Sequence, residues 1–458
     1  MSAPPRITPV QRDMILQRLR SGFDRDVIAT EVGVTVAQVS AVAAHVRMGT
    51  YDGREDTSRV NLDESLRDNA SRDERAAEDI SAPRIRPILL GNAEQGGTPV
   101  YWNPDPVTGS ANPHILILGE TGYGKTYTIC CMLAELAQQN VPSIVFDYGQ
   151  GFSLRATPDA FSYYAHSAEV EASREGIDLN PLQIFSSDMY GPVNVAQRIA
   201  DTFTRVYPQI GIQQHATLRQ AVLDVFADSG IRGDVPGSWK GDTPSFDLLR
   251  QHLEFHANKS DSARRRLAQS VSSHISTLFV FNTLRPGGRK LTWSEIIKGP
   301  GCVILQLAGL ESSLEAIVTE FLLWNLVGFV EALGPGPLRC FVVLDEAHKL
   351  SFDRGSPTEK LLREGRKFGV GVVLASQQPE DFSAVAFANT ATKLVFQVAD
   401  DRFAVSKRLQ RKLAYGRSIE NLSATVTGLP RGSAYVMSDK VRGVVRITDF
   451  EARASKWK

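Results

Sequence analysis

The chain has no excess of charge of either sign. Its 458 residues carry 51 Lys plus Arg against 51 Asp plus Glu, so bulk charge does not mark a nucleic-acid-binding protein. Any such contact must come from local patches or from an assembled ring. Cysteine is scarce: Cys130, Cys131, Cys302 and Cys340 all sit in apolar stretches, and none has metal-ligand spacing. That excludes a disulfide scaffold and fits buried thiols in a reducing cytoplasm. Uninterrupted apolar runs of membrane length are missing too. The longest apolar stretch, Ile317 to Leu333, is broken by Glu320, Asn325 and Glu331 and reads as a buried helix, not a membrane span. No signal peptide is recognisable in the opening residues, so a cytoplasmic protein with no membrane partner is expected. Internal repeats and low-complexity tracts are also lacking. The apolar fraction of 42% supports real cores in two or three domains.

The most informative stretch is Gly119-Glu120-Thr121-Gly122-Tyr123-Gly124-Lys125-Thr126. It follows the apolar run Ile115 to Leu118, which reads as a buried strand, and precedes Tyr127 to Gln139, which reads as a helix. A strand, a glycine loop and Lys-Thr at a helix start form the context of a phosphate-binding loop. Glycine lets the backbone turn several N–H groups toward phosphate oxygens, and the helix N-terminus adds positive potential. Lys125 is placed to reach the β- and γ-phosphates of ATP, and the Thr126 hydroxyl to ligate Mg²⁺.

Three further strands end in polar groups. Cys340 to Leu344 runs into Asp345-Glu346-Ala347-His348, the pattern in which Asp345 holds Mg²⁺ and Glu346 acts as base on the attacking water. Val370 to Ala375 ends in Ser376-Gln377-Gln378-Pro379, where Gln377 either senses the γ-phosphate or satisfies loop backbone. Pro142 to Phe146 ends in Asp147, which either touches the nucleotide and Mg²⁺ region or caps the glycine turn that follows. Arg363, Arg366 and Lys367 give the segment 360–368 a cationic character.

The remainder divides into segments. Residues 1–50 hold three short helical patterns with Gly33 at a turn and Thr35 at a helix start. This is a helix-turn-helix-like domain that either reads DNA, with Thr35, Gln38 and Ser40 nearest the bases, or docks protein. Residues 51–83 form a charged linker, with ten acids against five arginines in 51–80 and no apolar periodicity. A short β element is expected over 84–113. An ATPase core spans 114–450 with a helical insertion at about 190–285, and 451–458 is expected as a C-terminal tail. His252 and His256 share a helix face, but no third ligand is evident and zinc is disfavoured. Arg264 to Arg266 reads as a solvated face or a phosphate contact. Lys407 and Arg411 on a basic helix are candidates for DNA phosphate contacts.

Taken together, the glycine loop at 119–126, Val145-Phe146-Asp147, Leu344 to His348, Arg363-Glu-Gly-Arg-Lys-Phe-Gly369 and Ser376 to Pro379 resemble the HerA–FtsK superfamily of DNA-pumping ATPases, and HerA in particular. The resemblance covers about 114–450. It implies an α/β P-loop NTPase core, RecA-like, with a mainly parallel sheet. It also implies a homo-hexamer with ATP sites between subunits, double-stranded DNA in the channel, and an arginine finger supplied in trans by Arg363 or Arg366. An ordinary salt-bridged surface helix is the alternative for those arginines. Two departures stand out: the region before the core is too short for the β-barrel common in HerA proteins, and the N-terminal helices are not the usual arrangement. Relatives altered in this way often work with an effector, a nuclease or a sirtuin-like NAD hydrolase, in antiviral defence. The expectation is an ATP-driven DNA translocase or helicase. The alternative is a regulatory ATPase scaffold whose nucleotide state gates an effector without sustained movement on DNA.

Overall fold

The computed structural model describes residues 9–20, 24–47, 85–105, 108–109, 112–259, 262–399, 409, 413 and 422–457. The linker expected at 51–83 and the DNA-contact candidates Lys407 and Arg411 lie outside the described residues. The chain divides into two compact units, residues 1–80 and 81–458.

In the first unit the helices Pro9–Arg20, Arg25–Val32 and Val36–Arg47 close over Ile15, Ile28, Ala29, Val32, Val39 and Val42. Gly33 ends the second helix in the left-handed region (φ 70°), a conformation glycine enters without strain. The third helix opens on a reciprocal cap: Gln38 N donates to Thr35 Oγ1 (3.3 Å) and Thr35 N to Gln38 Oε1 (2.9 Å). Thr35 and Gln38, expected nearest the bases of a DNA partner, thus serve the helix start.

The second unit is built on an eleven-stranded sheet. In chain order its strands are β1 (Ile88–Ala93), β2 (Pro99–Trp102), β3 (Ile115–Leu118), β4 (Ser143–Asp147), β5 (Ala168–Glu171), β8 (Cys302–Gln306), β9 (Cys340–Leu344), β10 (Val370–Ser376), β11 (Thr392–Val395), β12 (Ser433–Met437) and β13 (Arg442–Ile447); β6 (Ile177–Asp178) and β7 (Arg289–Lys290) pair separately. The spatial order is β2-β1-β13-β12-β11-β3-β10-β9-β4-β8-β5. From β11 to β5 all neighbours are parallel, while the β12, β13, β1 and β2 edge is antiparallel. Successive residues of β3 feed opposite cores: Leu116 and Leu118 face one side, Ile115 and Ile117 the other. Burial on both faces is why the central strands read as unbroken apolar runs.

One face carries the helix Lys125–Ala137, through Ile129, Met132, Leu133 and Leu136. The other carries Ser312–Ala332 and a helical lobe formed by Pro192–Val206, Ile212–Asp228, Asp247–Lys259 and Ser262–Phe281. Ser312–Ala332 is long and apolar enough to cross a membrane, but 72% of its most apolar window is buried within the protein, as a core helix requires.

Two expectations about boundaries need correction. The β element at 84–113 is not a separate piece: β1 pairs antiparallel with β13, so β1 and β2 extend the main sheet and cover an edge that would otherwise expose unpaired backbone. The residues from 451 are not a tail. The short helix Phe450–Ala454 buries Phe450 and Arg453, and the Arg453 guanidinium donates to the carbonyls of Leu89, Leu90 and Thr448. The Arg453 guanidinium thereby satisfies backbone of β1, the strand next to the edge, a pairing across more than 350 residues that no local pattern announces.

His114, at the start of β3, is 1% exposed, and its Nδ1 accepts from Val372 N at 3.0 Å. Burial, aided by the nearby Arg366 cation, lowers its pKa from 6.5 to about 4. Between those values the unfolded chain binds a proton that the folded chain does not, so stability falls as pH drops from about 6.5 toward 4. Replacing the ring by a neutral acceptor removes this term. In urea denaturation, the stability advantage of wild type over His114→Asn is expected to be largest at pH 7.5 and to shrink steadily toward pH 4.5. A gap independent of pH would contradict the assignment.

Candidate functional site

The parallel strands deliver their polar ends to one edge of the sheet, where β3, β10 and β9 lie side by side. The loop after β3 turns sharply because Gly119 takes φ 147°, and a side-chain carbon there would stand 2.5 Å from Phe396 Cβ. Only glycine fits. Gly119 N donates to Ser376 O and Glu120 N to Gln397 O, so the loop is pinned to the neighbouring strand ends. Thr121 and Gly122 are exposed. Tyr123 packs on the core, and its carbonyl accepts from Gly432 N. Gly124 precedes the helix at φ 114°, leaving the first helical N–H groups aimed into the loop.

Lys125 is 8% exposed, and its Nζ donates to Gly119 O (2.6 Å) and Glu120 O (3.1 Å). Burial lowers its pKa; Asp345, Glu346 and Glu120 act in the opposite direction. The ammonium thus lies in the field of the acids that end β9. Asp345 is also 8% exposed. Burial and then the adjacent Glu346 push its pKa up from 3.8 to about 7, with Lys125 pulling the other way. A carboxylate so desolvated calls for a cation.

Thr126, Asp345 and the glycine turn after β4 enclose one small space. A carbon placed on Gly151 would stand 3.8 Å from Thr126 Oγ1 and 4.0 Å from Asp345 Oδ2. A hydroxyl and a carboxylate facing a gap that only glycine leaves open suit Mg²⁺, which takes oxygen ligands and retains water. Among the described residues no group of three or more His, Cys, Asp or Glu converges as a metal site. The rings of His252 and His256 lie 4.6 Å apart and are tilted by 50°.

Glu346 sits in the left-handed region (φ 56°), a conformation that costs a non-glycine residue about 1–3 kcal/mol and clusters at functional sites. Gln377 Nε2 donates to Glu346 Oε1 at 3.4 Å. His348 Nδ1 lies 3.3 Å from Oε2, which makes no aligned hydrogen bond. One carboxylate oxygen is therefore held by Gln377, while the other is buried with unused acceptor capacity.

Asp147, expected either as a nucleotide and Mg²⁺ contact or as a cap, makes the hydrogen bonds of a cap. It is fully buried. Oδ1 accepts from Gly149 N (3.1 Å) and Gly151 N (3.2 Å), and Oδ2 from Phe152 N (2.8 Å) and Gln306 Nε2 (2.9 Å). Four donors occupy the carboxylate, so it holds the turn that shapes the space beside Thr126. Gln306 was not singled out from sequence, although a polar residue ending the apolar strand β8 is the same signal that marked Asp147 and Gln377. His348 lay within a quoted motif without a role.

Arg363 and Arg366 are not brought to this edge. Both are exposed, and they precede β10, whereas Gln377 follows it. Seven residues of strand at ~3.3 Å each put roughly 20 Å between them and the loop of their own chain. Arg363 pairs with Glu359 one turn back.

A family model described as "Helicase HerA, central domain" matches residues 90–326. The "DNA double-strand break repair helicase HerA" of Saccharolobus solfataricus is 24% identical over 362 residues, covering 74% of this chain and 65% of that protein. The protein of the same description from Sulfurisphaera tokodaii is 28% identical over 362 residues, covering 74% of this chain and 66% of its own. The chain thus spans just under two thirds of the length of these relatives. Among solved structures, VirB4 of Thermoanaerobacter pseudethanolicus aligns with a TM-score of 0.64 at 17% identity, over 79% of this chain and 96% of that one. The plasmid coupling protein TrwB in complex with ADP and Mg²⁺ aligns with a TM-score of 0.52 at 16% identity, over 73% and 84%. These two likenesses establish the P-loop ATPase fold.

If Asp147 acts as the cap, replacing one of its oxygens by an amide sets two donors against each other. Asp147→Asn is therefore expected to destabilise the protein without nucleotide by about 1–3 kcal/mol. Chemical denaturation in the presence of EDTA measures this. Unchanged stability would return Asp147 to a ligand role.

Proposed function

This chain belongs to the family of the HerA helicase central domain, and on that premise we propose that it is an ATP-hydrolysing motor that acts on double-stranded DNA. The observation that carries the reading is the convergence of Lys125, Thr126, Asp345, Glu346 and Gln377 at one edge of the sheet. In this reading the backbone N–H groups of 121–126 cradle the phosphates, and Lys125 leaves its two carbonyl partners to reach the β- and γ-phosphates. Thr126 and Asp345 hold Mg²⁺, which when bound neutralises charge on those phosphates. Glu346, with a buried oxygen free to accept, takes the proton of the attacking water. Gln377 holds Glu346 in place and orients the same water.

The arginine that stabilises charge on the transferred phosphoryl group comes from a neighbouring subunit. Support for this is the distance of Arg363 and Arg366 from their own loop, which rules out action within one chain. In a closed ring a neighbour completes the site of every subunit, and a homo-hexamer is the form proposed. Coupling of this ring to an effector enzyme, a nuclease or an NAD hydrolase acting in antiviral defence, belongs to the same proposal.

Phosphate release from ATP tests the reading. Wild type should hydrolyse ATP faster when duplex DNA is added, and Glu346→Gln should reduce kcat at least about a hundredfold, the low end of general-base effects, while still binding ATP. Hydrolysis indifferent to DNA but responsive to a partner enzyme would favour a regulatory scaffold over a motor. Wild-type turnover by Glu346→Gln would overturn the base assignment. Mixing Lys125→Ala subunits with subunits carrying both Arg363→Ala and Arg366→Ala should restore activity. Neither variant alone should hydrolyse ATP; in the mixture an intact site forms wherever a subunit with Lys125 receives its arginine from a Lys125→Ala neighbour. Failure of the mixture would remove the trans arginine.

A further inference from the structure

The phosphate loop has a second wall that none of the motifs described so far accounts for. On the side of β3 away from β10 and β9, the sheet continues through β11 to β12 and β13. The turn Pro430-Arg431-Gly432 enters β12 directly against the loop. Gly432 N donates to Tyr123 O at 3.0 Å, and a carbon placed on Gly124 would lie 3.7 Å from Gly432 Cα. The turn and the loop are therefore in backbone contact. Arg431 extends over this junction: its Nη2 would be 3.9 Å from a side-chain carbon on Gly122.

The charge around Arg431 is unbalanced. Its guanidinium has no carboxylate partner among the described residues. The nearest charged group placed by hydrogen bonding is another cation: Arg446 of β13 donates through Nη1 to the carbonyl of Arg431 and stands within 3.9 Å of the space above Gly432. Arg431 and Arg446 are both exposed. Two guanidinium groups on adjoining residues of one hairpin, with no acid between them, repel each other unless an anion intervenes. The backbone of the turn is fixed by the Tyr123 and Arg446 hydrogen bonds, so the Arg431 side chain starts from a defined point at the rim of the cradle. A guanidinium with an open fork is well suited to phosphate oxygens.

We propose that Arg431 binds the polyphosphate of the nucleotide from within its own subunit, on the side of the loop opposite Asp345 and Glu346, with Arg446 as the positioning residue behind it. This rests on the reading of the loop as a nucleoside triphosphate site. The phosphates are then flanked by Arg431 on one side and by Lys125 and the metal-binding oxygens on the other. Arg431 differs from Arg363 and Arg366 in acting on its own chain's loop, and its contribution is to binding, not to turnover.

Equilibrium binding of a fluorescent ATP analogue with Mg²⁺, to full-length protein, tests this. Arg431→Gln should weaken binding about tenfold, the cost of one charge-assisted hydrogen bond. Arg431→Lys should recover most of that loss. The salt dependence of binding should be shallower in the glutamine variant, a change that a purely structural role would not produce. The melting temperature without nucleotide should match wild type in both variants, since the turn is held through backbone atoms. Wild type binding the analogue, with Arg431→Gln within twofold of it, would overturn the proposal and leave the loop reading standing. Wild type failing to bind, or binding no better than Lys125→Ala, would overturn the loop reading and this inference with it.

Discussion

The structure depends on a charge arrangement that is incomplete without a ligand. At the carboxyl edge of the sheet, the Lys125 ammonium and the Asp345 carboxylate are removed from water, each in the field of the other and of Glu346. Burial disfavours the charged form of Lys125 and of Asp345: the Lys125 pKa falls and that of Asp345 rises to about 7. Their mutual attraction offsets only part of this. A polyphosphate with a divalent cation supplies both missing partners at once, anion for Lys125 and cation for Asp345. The left-handed backbone at Glu346 and its unpaired oxygen belong to the same pattern. Local strain and an unsatisfied acceptor persist because the surrounding sheet leaves the chain no alternative there.

The fold's contribution is rigidity of that edge. The loop is tied to Ser376 and Gln397, the turn after β4 is tied to Asp147, and Asp147 is tied to Gln306. The ties to Ser376, Gln397 and Gln306 each join the ends of two different strands, so displacement of one strand end is felt by the others. Nucleotide binding at such an edge can be passed to both faces of the sheet. One face carries the loop helix and the C-terminal helix. The other carries the long apolar helix and the lobe at 192–281.

Much of this edge was legible in the residues because its chemistry is local. A glycine loop between strand and helix, or an acid pair ending an apolar run, is written in consecutive positions. The misreadings concern contacts distant in sequence. Asp147 was left between two roles because its fourth hydrogen bond comes from Gln306, 159 residues away. The β1 and β2 strands looked separate because their partner, β13, lies near the opposite end of the chain. Arg453 looked like part of a tail because the carbonyls it satisfies belong to Leu89 and Leu90. The turn at Gly33 and the helix start at Thr35 were legible in the N-terminal residues because both are local signals.

The central claim is that Thr126 at the start of the loop helix and Asp345 at the end of β9, facing one gap beside Gly151, hold the cation of a bound nucleotide. Electron paramagnetic resonance of Mn²⁺ substituted for Mg²⁺, recorded with a non-hydrolysable ATP analogue, addresses it directly. The account predicts a tightly bound Mn²⁺ signal per nucleotide in wild type that is weakened in Thr126→Ala and in Asp345→Asn. An unchanged signal in both variants, with nucleotide still bound, would contradict it.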